Sequence, residues 1–356
     1  MYAVLGKPFS IAREEWAWLA PLFLMVAGIY GVSEVVAQWN GASTAALVAD
    51  YMGKALRAVP LVVSLGLLYH LIRALLSGEA QPLSSMVVSL RAQLQDTSGL
   101  VSRLLPLALM PVLFAAMGML KMQIPHIMPF YLDDLFAAAD KLLFLGRQPW
   151  ELTHALFGSA DATLVIDRLY TLWVFGLSVA IGYFALIAPG AERARFFLNF
   201  TAIWIVLGVF GAYIGSSAGP CFLAALASPS APEFAGLMER LTAIDAALKA
   251  NDGSGLGALH WQTMLWTAHE TDTIAFSMGI SAMPSLHNAI AFLYVLLAFR
   301  IGRVAGLIAS LFALTTFVGS IHLGWHYAVD GLVAFAGTYA VWWGVERYFS
   351  ASAAAN

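Results

Sequence analysis

The feature that most constrains this chain is the recurrence of apolar runs long enough to cross a lipid bilayer. A bilayer core about 30 Å thick needs about 20 apolar residues per helix. Eight candidate spans are visible, at roughly 17–38, 55–76, 100–125, 163–189, 196–215, 286–300, 303–321 and 326–348. Arg57, His70 and Arg73 interrupt the second, and the sixth is short. The first follows Glu14 and Glu15 and is long enough to span, so it reads as a span rather than a cleaved leader. Charged residues make up 11% of the 356 positions and hydrophobic residues 60%, against about 25% and 45–50% in an average soluble domain. So few charges cannot wet a soluble globule of this size, which excludes a soluble enzyme and a disordered chain. A net charge of −3 without a basic run excludes a nucleic-acid binder. A single cysteine, Cys221, excludes a disulfide framework and a multi-cysteine metal site. The expected fold is all-α, a polytopic membrane helical bundle of about eight transmembrane helices.

Lys and Arg in short loops set orientation. Arg193 and Arg195, Arg300 and Arg303, and Arg347 fall on one side of the alternating spans. The other side holds 322–326, without Lys or Arg, and the long segment 216–285, with only Arg240 and Lys249. The arginine side is therefore expected to be cytoplasmic, with both termini. Segment 126–162 then lies outside. It is acidic and aromatic, with Asp133, Asp134, Asp140, Trp150 and Glu151, and suits amphipathic helices at the membrane surface.

Ionisable residues at membrane depth are costly and mark functional sites. They gather here in two clusters. Ser281-Ala282-Met283-Pro284-Ser285-Leu286-His287 immediately precedes the sixth span. Pro284 suits a helix start, and the free amides and dipole behind it attract anions, phosphate above all. Alone, Ser285 beside a proline is as readily a plain cap. The second cluster runs Ser320-Ile321-His322-Leu323-Gly324-Trp325-His326-Tyr327-Ala328-Val329-Asp330. His326 and Asp330 are four apart, on one helix face. A carboxylate on one ring nitrogen fixes the tautomer and leaves the other nitrogen free as nucleophile or base. The sixth span leaves the outer face, the seventh returns and the eighth leaves again, so the starts of the sixth and eighth can be neighbours. One anion-binding helix start and two histidines then converge on one phosphate. That is the equipment for phosphoryl transfer through a phosphohistidine.

Met283-Pro284-Ser285-Leu286-His287 followed by His326-Tyr327-Ala328-Val329-Asp330 resembles the second and third signature motifs of the type-2 phosphatidate phosphatase superfamily. More narrowly, it resembles the branch of the aureobasidin-sensitive inositol phosphorylceramide synthases and their bacterial relatives, and a bacterial inner membrane is the expected setting. The resemblance covers roughly 163–348, as a six-span phosphatase-like core. Residues 1–162 become an N-terminal transmembrane extension and 349–356 a tail. The resemblance implies His326 as nucleophile, Asp330 as its orienting carboxylate, His287 as acid and then base, and Ser285 as a phosphate-binding group. It implies no metal and no cofactor, and as partners a phospholipid donor and a lipid acceptor in the membrane.

The chain also departs from that superfamily. At the outer end of the third core span, Ser216-Ser217-Ala218-Gly219-Pro220-Cys221 lacks the family's Lys and Arg, and Gly319 and Ser320 replace Ser-Arg before the nucleophile. Two phosphate-binding cations are thus absent from their usual places. Pro220 in the bend, His322, Arg168, Lys141 and Arg147 are the candidate substrate-binding groups. Arg168 has a plain alternative as an ion pair with Asp167, Asp161 or Glu151, and His322 one as a packing histidine. The lost cations fit a transferase that moves inositol phosphate or a similar polyol phosphate to a lipid hydroxyl. A lipid phosphatase with water as acceptor is the alternative on the same scaffold. A proton-relaying transporter would spread its ionisable residues through the membrane depth. A metal site at His322, His326 and Asp330 would need a fourth ligand.

Overall fold

The computed structural model describes residues 13–78 and 80–354. Among them the chain is helical throughout, without strands. Four helices come first: α1 (Arg13–Trp39), α2 (Thr44–Leu76), α3 (Pro82–Gln95) and α4 (Thr97–Ile127). Two short ones follow, α5 (Asp133–Leu143) and α6 (Pro149–Phe157). Next are α7 (Ala160–Leu186) and α8 (Gly190–Ile205), which continues through a π-helical turn, Val206–Gly211, into α9 (Ala212–Ile214). The long segment after it carries α10 (Ala231–Asp252) and α11 (Gly257–Glu270). Last come α12 (Leu286–Ile301), α13 (Arg303–His322) and α14 (Ala328–Ala354). Among the described residues seven helices are long and apolar enough to cross a membrane, and α12 is a shorter apolar helix of 16 residues. The protein is a polytopic helical bundle.

The chain marks its helix starts with short polar side chains that take up otherwise orphaned amides. Ser43 accepts from Ala45, Asp96 from Gly99 and Ser159 from Ala162. At the opposite end of α7, the buried Arg193 guanidinium caps the last carbonyls, those of Phe184, Ala185 and Ala188.

The main core joins α4 to the C-terminal helices. Leu113, Met117 and Leu120 of α4 pack with Phe196, Phe197 and Phe200 of α8 and with Ile290 and Leu293 of α12. This bears on the expected six-span core. Among the described residues only five apolar helices fall within 163–348. α1 and α4, both assigned from sequence to the extension, pack with them in the same core. Chain order does not reveal which spans share a core, because that depends on side-chain fit.

The reading of 126–162 as surface helices also needs amending. α5 exposes Leu135, Leu142 and Leu143, as a helix lying at a lipid surface would. Its opposite face, Asp133, Ala137 and Asp140 at helical spacing, is buried in the protein. The inward face is acidic because it meets unpaired backbone N–H groups rather than apolar side chains.

Candidate active site

The site is assembled where the chain entering α12 meets the α8–α9 rod. A Cβ on Gly208 would lie 2.8 Å from Leu286, one on Gly211 3.0 Å from Pro284, and one on Gly215 2.7 Å from Met283. These bare positions let residues 283–286 lie directly against the rod. The π-helical turn at 206–211 falls in the same stretch, as such turns often do beside functional sites. Ser285, fully buried, is the N-cap of α12: its hydroxyl accepts from the Asn288 amide N at 3.4 Å and from Asn288 Nδ2 at 3.1 Å. Pro284 therefore precedes the cap instead of opening the helix.

His287 lies in the first turn of α12. Its ring sits against Trp173, centroids 4.2 Å apart, and stacks on Tyr170 at 5.0 Å. These aromatics are one turn apart on α7, and Trp173 Nε1 donates to the His287 carbonyl at 3.0 Å. Together they fix the imidazole plane. His326 stands in the turn between α13 and α14, its ring centroid 6.2 Å from that of His287. Its Nδ1 pairs with Asp330 Oδ2 at 3.2 Å, and the same oxygen accepts from the Tyr327 amide at 3.1 Å. A neutral ring that donates from Nδ1 in this pair carries its remaining lone pair on Nε2. Burial, reinforced by the Lys121 charge, pushes the His326 imidazole down to about 3, against an opposing contribution from the Ala282 carbonyl. The ring is thereby held neutral, the form that can attack phosphorus.

The turn carrying His326 is braced by α5. Asp133 accepts from the amides of Ala218 (2.8 Å) and Gly219 (2.9 Å) and from the Tyr327 hydroxyl (2.9 Å). Asp140 caps the start of α14, accepting from Ala328 at 2.7 Å and Val329 at 2.9 Å. Burial raises the Asp140 carboxyl to about 6 in spite of these two donors. The bend at 216–220 is fastened to both motif loops. The Ser217 carbonyl accepts from Ala282 and its hydroxyl from Met283, while Cys221 N donates to the Gly324 carbonyl at 3.0 Å.

Ser285, His287, His326 and Asp330 are thus gathered in one place, with the bend containing Pro220 alongside. The other candidates have different partners. His322 has its ring nitrogens beside the hydroxyls of Thr163 (3.0 Å) and Thr153 (3.3 Å), and stacks on His154 at 4.0 Å. Arg168 is 48% exposed, not buried, and contacts Asp167 and the Gly255 carbonyl. Lys141 pairs with Glu233 at 3.1 Å, and Arg147 is exposed. Lys141 and Arg168 are each engaged by a carboxylate of the protein itself. Among the described residues no group of three or more His, Cys, Asp or Glu is placed to hold a metal ion.

Sequence reasoning did not reach Tyr170, Trp173, Asn288 or Lys121, and it read Asp133 and Asp140 only as part of an acidic surface segment. A signal existed for Lys121, a lone cation near the C-terminal end of an apolar span.

A family model described as the PAP2 superfamily matches residues 135–344, more than half of the chain. The chain belongs to the PAP2 superfamily. The PAP2 match includes Ser285, His287, His326 and Asp330, and it begins within α5. Membership brings phosphatase- or phosphotransferase-type chemistry on lipid substrates. No curated protein and no solved structure matches the chain.

Proposed function

We propose that this PAP2 protein is a lipid phosphotransferase that moves a phospho-headgroup, inositol phosphate or a similar polyol phosphate, to a lipid hydroxyl. The observation that carries the reading is the pair of imidazoles 6.2 Å apart, one of them held by Asp330. In the first step His326 Nε2 attacks phosphorus and forms a P–N bond. The bond from phosphorus to the leaving oxygen breaks, and His287 gives that oxygen its proton. In the second step His287 takes a proton from the acceptor hydroxyl, whose oxygen attacks phosphorus and releases His326. Asp330 steadies the positive charge on the His326 ring between the steps. The site faces the extracytoplasmic side in this reading, with both termini in the cytoplasm. The absence of the superfamily's usual Lys and Arg supports a transferase over a phosphatase.

Purified protein incubated with a radiolabelled phosphoinositide and a long-chain lipid alcohol is expected to yield a new labelled lipid. Release of free phosphate from a lipid phosphate instead would support the phosphatase. His326→Ala and His287→Ala should each lower turnover on the order of 10²–10⁴-fold, the usual scale for a lost nucleophile or acid–base group. Turnover surviving both substitutions would sink the mechanism.

A further inference from the structure

We propose that Lys121 of α4 is the cation that holds the substrate phosphate, taking the place of the Lys and Arg missing from the superfamily's motifs. The inference rests on the phosphoryl-transfer reading above and adds a residue that neither motif contains.

The placement follows from packing. A Cβ on Gly208 would meet Met117 of α4 at 2.9 Å as well as Leu286 at 2.8 Å, so the Met117 face of α4 points at the first residue of α12. Lys121 is one helical turn further along that face, toward the C-terminal end of α4. The chain leading into α12 crosses directly over it. A Cβ on Gly279 would lie 3.2 Å from Lys121 Cγ and 2.9 Å from Met122 N, and φ at Gly279 is +99°. Only glycine allows so close a crossing. The outer end of α4 is tied to α9, which enters the bend at 216–220, by the Tyr213 hydroxyl donating to the Leu120 carbonyl at 2.7 Å.

The electrostatics agree with the packing. The Lys121 charge acts on both His287 and His326. Among the described residues no carboxylate forms an ion pair with Lys121, while Lys54, Lys141, Lys249, Arg168, Arg195 and Arg300 each have one. An unpaired cation in a membrane helix is costly. An anionic group delivered by the substrate between the two imidazoles removes that cost, and a phosphate is the anion this site would receive.

Orthovanadate binding to the full-length protein in detergent, measured by calorimetry, tests the assignment. Lys121→Met is expected to weaken vanadate about 10–100-fold, the range for loss of one charge-assisted contact, and Lys121→Arg to restore most of it. The unfolding temperature without vanadate should stay unchanged or rise, because no internal partner is lost. Vanadate affinity equal to wild type in Lys121→Met would overturn the assignment and leave the histidine mechanism standing. So would a large fall in unfolding temperature in both Lys121→Met and Lys121→Gln, which would make Lys121 structural. Failure of the wild type to bind vanadate would overturn both readings. Turnover that survives loss of both histidines but falls in Lys121→Met would sink only the phosphohistidine.

Discussion

Position 219 shows how little room surrounds His326, the proposed nucleophile. A Cβ there would lie 2.6 Å from the Trp325 carbonyl, one residue before His326, and φ is +104°. Gly219→Ala is therefore expected to destabilise the protein by about 1–3 kcal/mol, the scale of a strained backbone at a functional site. It should lower kcat more than it raises KM, since the displaced chain carries His326 and not the lipid. An alanine variant with wild-type kcat would show that the bend does not position the nucleophile. At this scale the histidines and Asp330 were legible from the sequence, because a four-residue spacing on a helix and a polar cluster beside a span are local patterns. Tyr170 and Trp173 were not. Aromatics near span ends read equally well as an interfacial belt, and only the position of α12 shows that His287 lies against them.

At the scale of elements, α5 is the clearest departure from expectation. Its acidic residues suggested a helix turned to water, yet Asp133 and Asp140 point inward and satisfy amides of the bend and of α14. Buried N–H groups need partners, and no residue local to those loops supplies them. Asp140 gives this a pH signature. Its carboxyl is raised from 3.8 to about 6 by burial, so the folded protein keeps a proton that the unfolded chain has lost between those values. The stability from this group is complete below the unfolded pKa and is lost as pH rises through about 6. Each tenfold change in proton affinity is worth about 1.4 kcal/mol, which makes the loss about 2–3 kcal/mol. Asp140→Asn cannot ionise, so relative to wild type it should gain about that much between pH 4 and pH 7. Chemical unfolding of the two proteins across this range measures it, and parallel pH curves would refute it.

For the whole molecule, the arrangement of spans carries a prediction about sidedness. The loop arginines at 193–195, 300–303 and 347 lead to the expectation that their side is cytoplasmic. In a Cys221→Ser background, an impermeant maleimide should label Glu239→Cys on intact cells and label Arg303→Cys only after the membrane is opened. The reverse pattern would invert the topology and place the histidines inside. The sequence by itself determined that the chain is a helical membrane bundle, since apolar length and scarcity of charge leave no other way to satisfy the backbone. It also singled out the pair proposed to react, His287 and His326 with Asp330, because those groups sit in short motifs whose spacing follows helical geometry. Only the tertiary structure decided that α1 and α4 share a core with the C-terminal spans, that α5 braces the bend, and that the chain entering α12 crosses over Lys121. Each of these joins residues far apart in the chain, and packing between helices leaves no periodic trace in a single sequence.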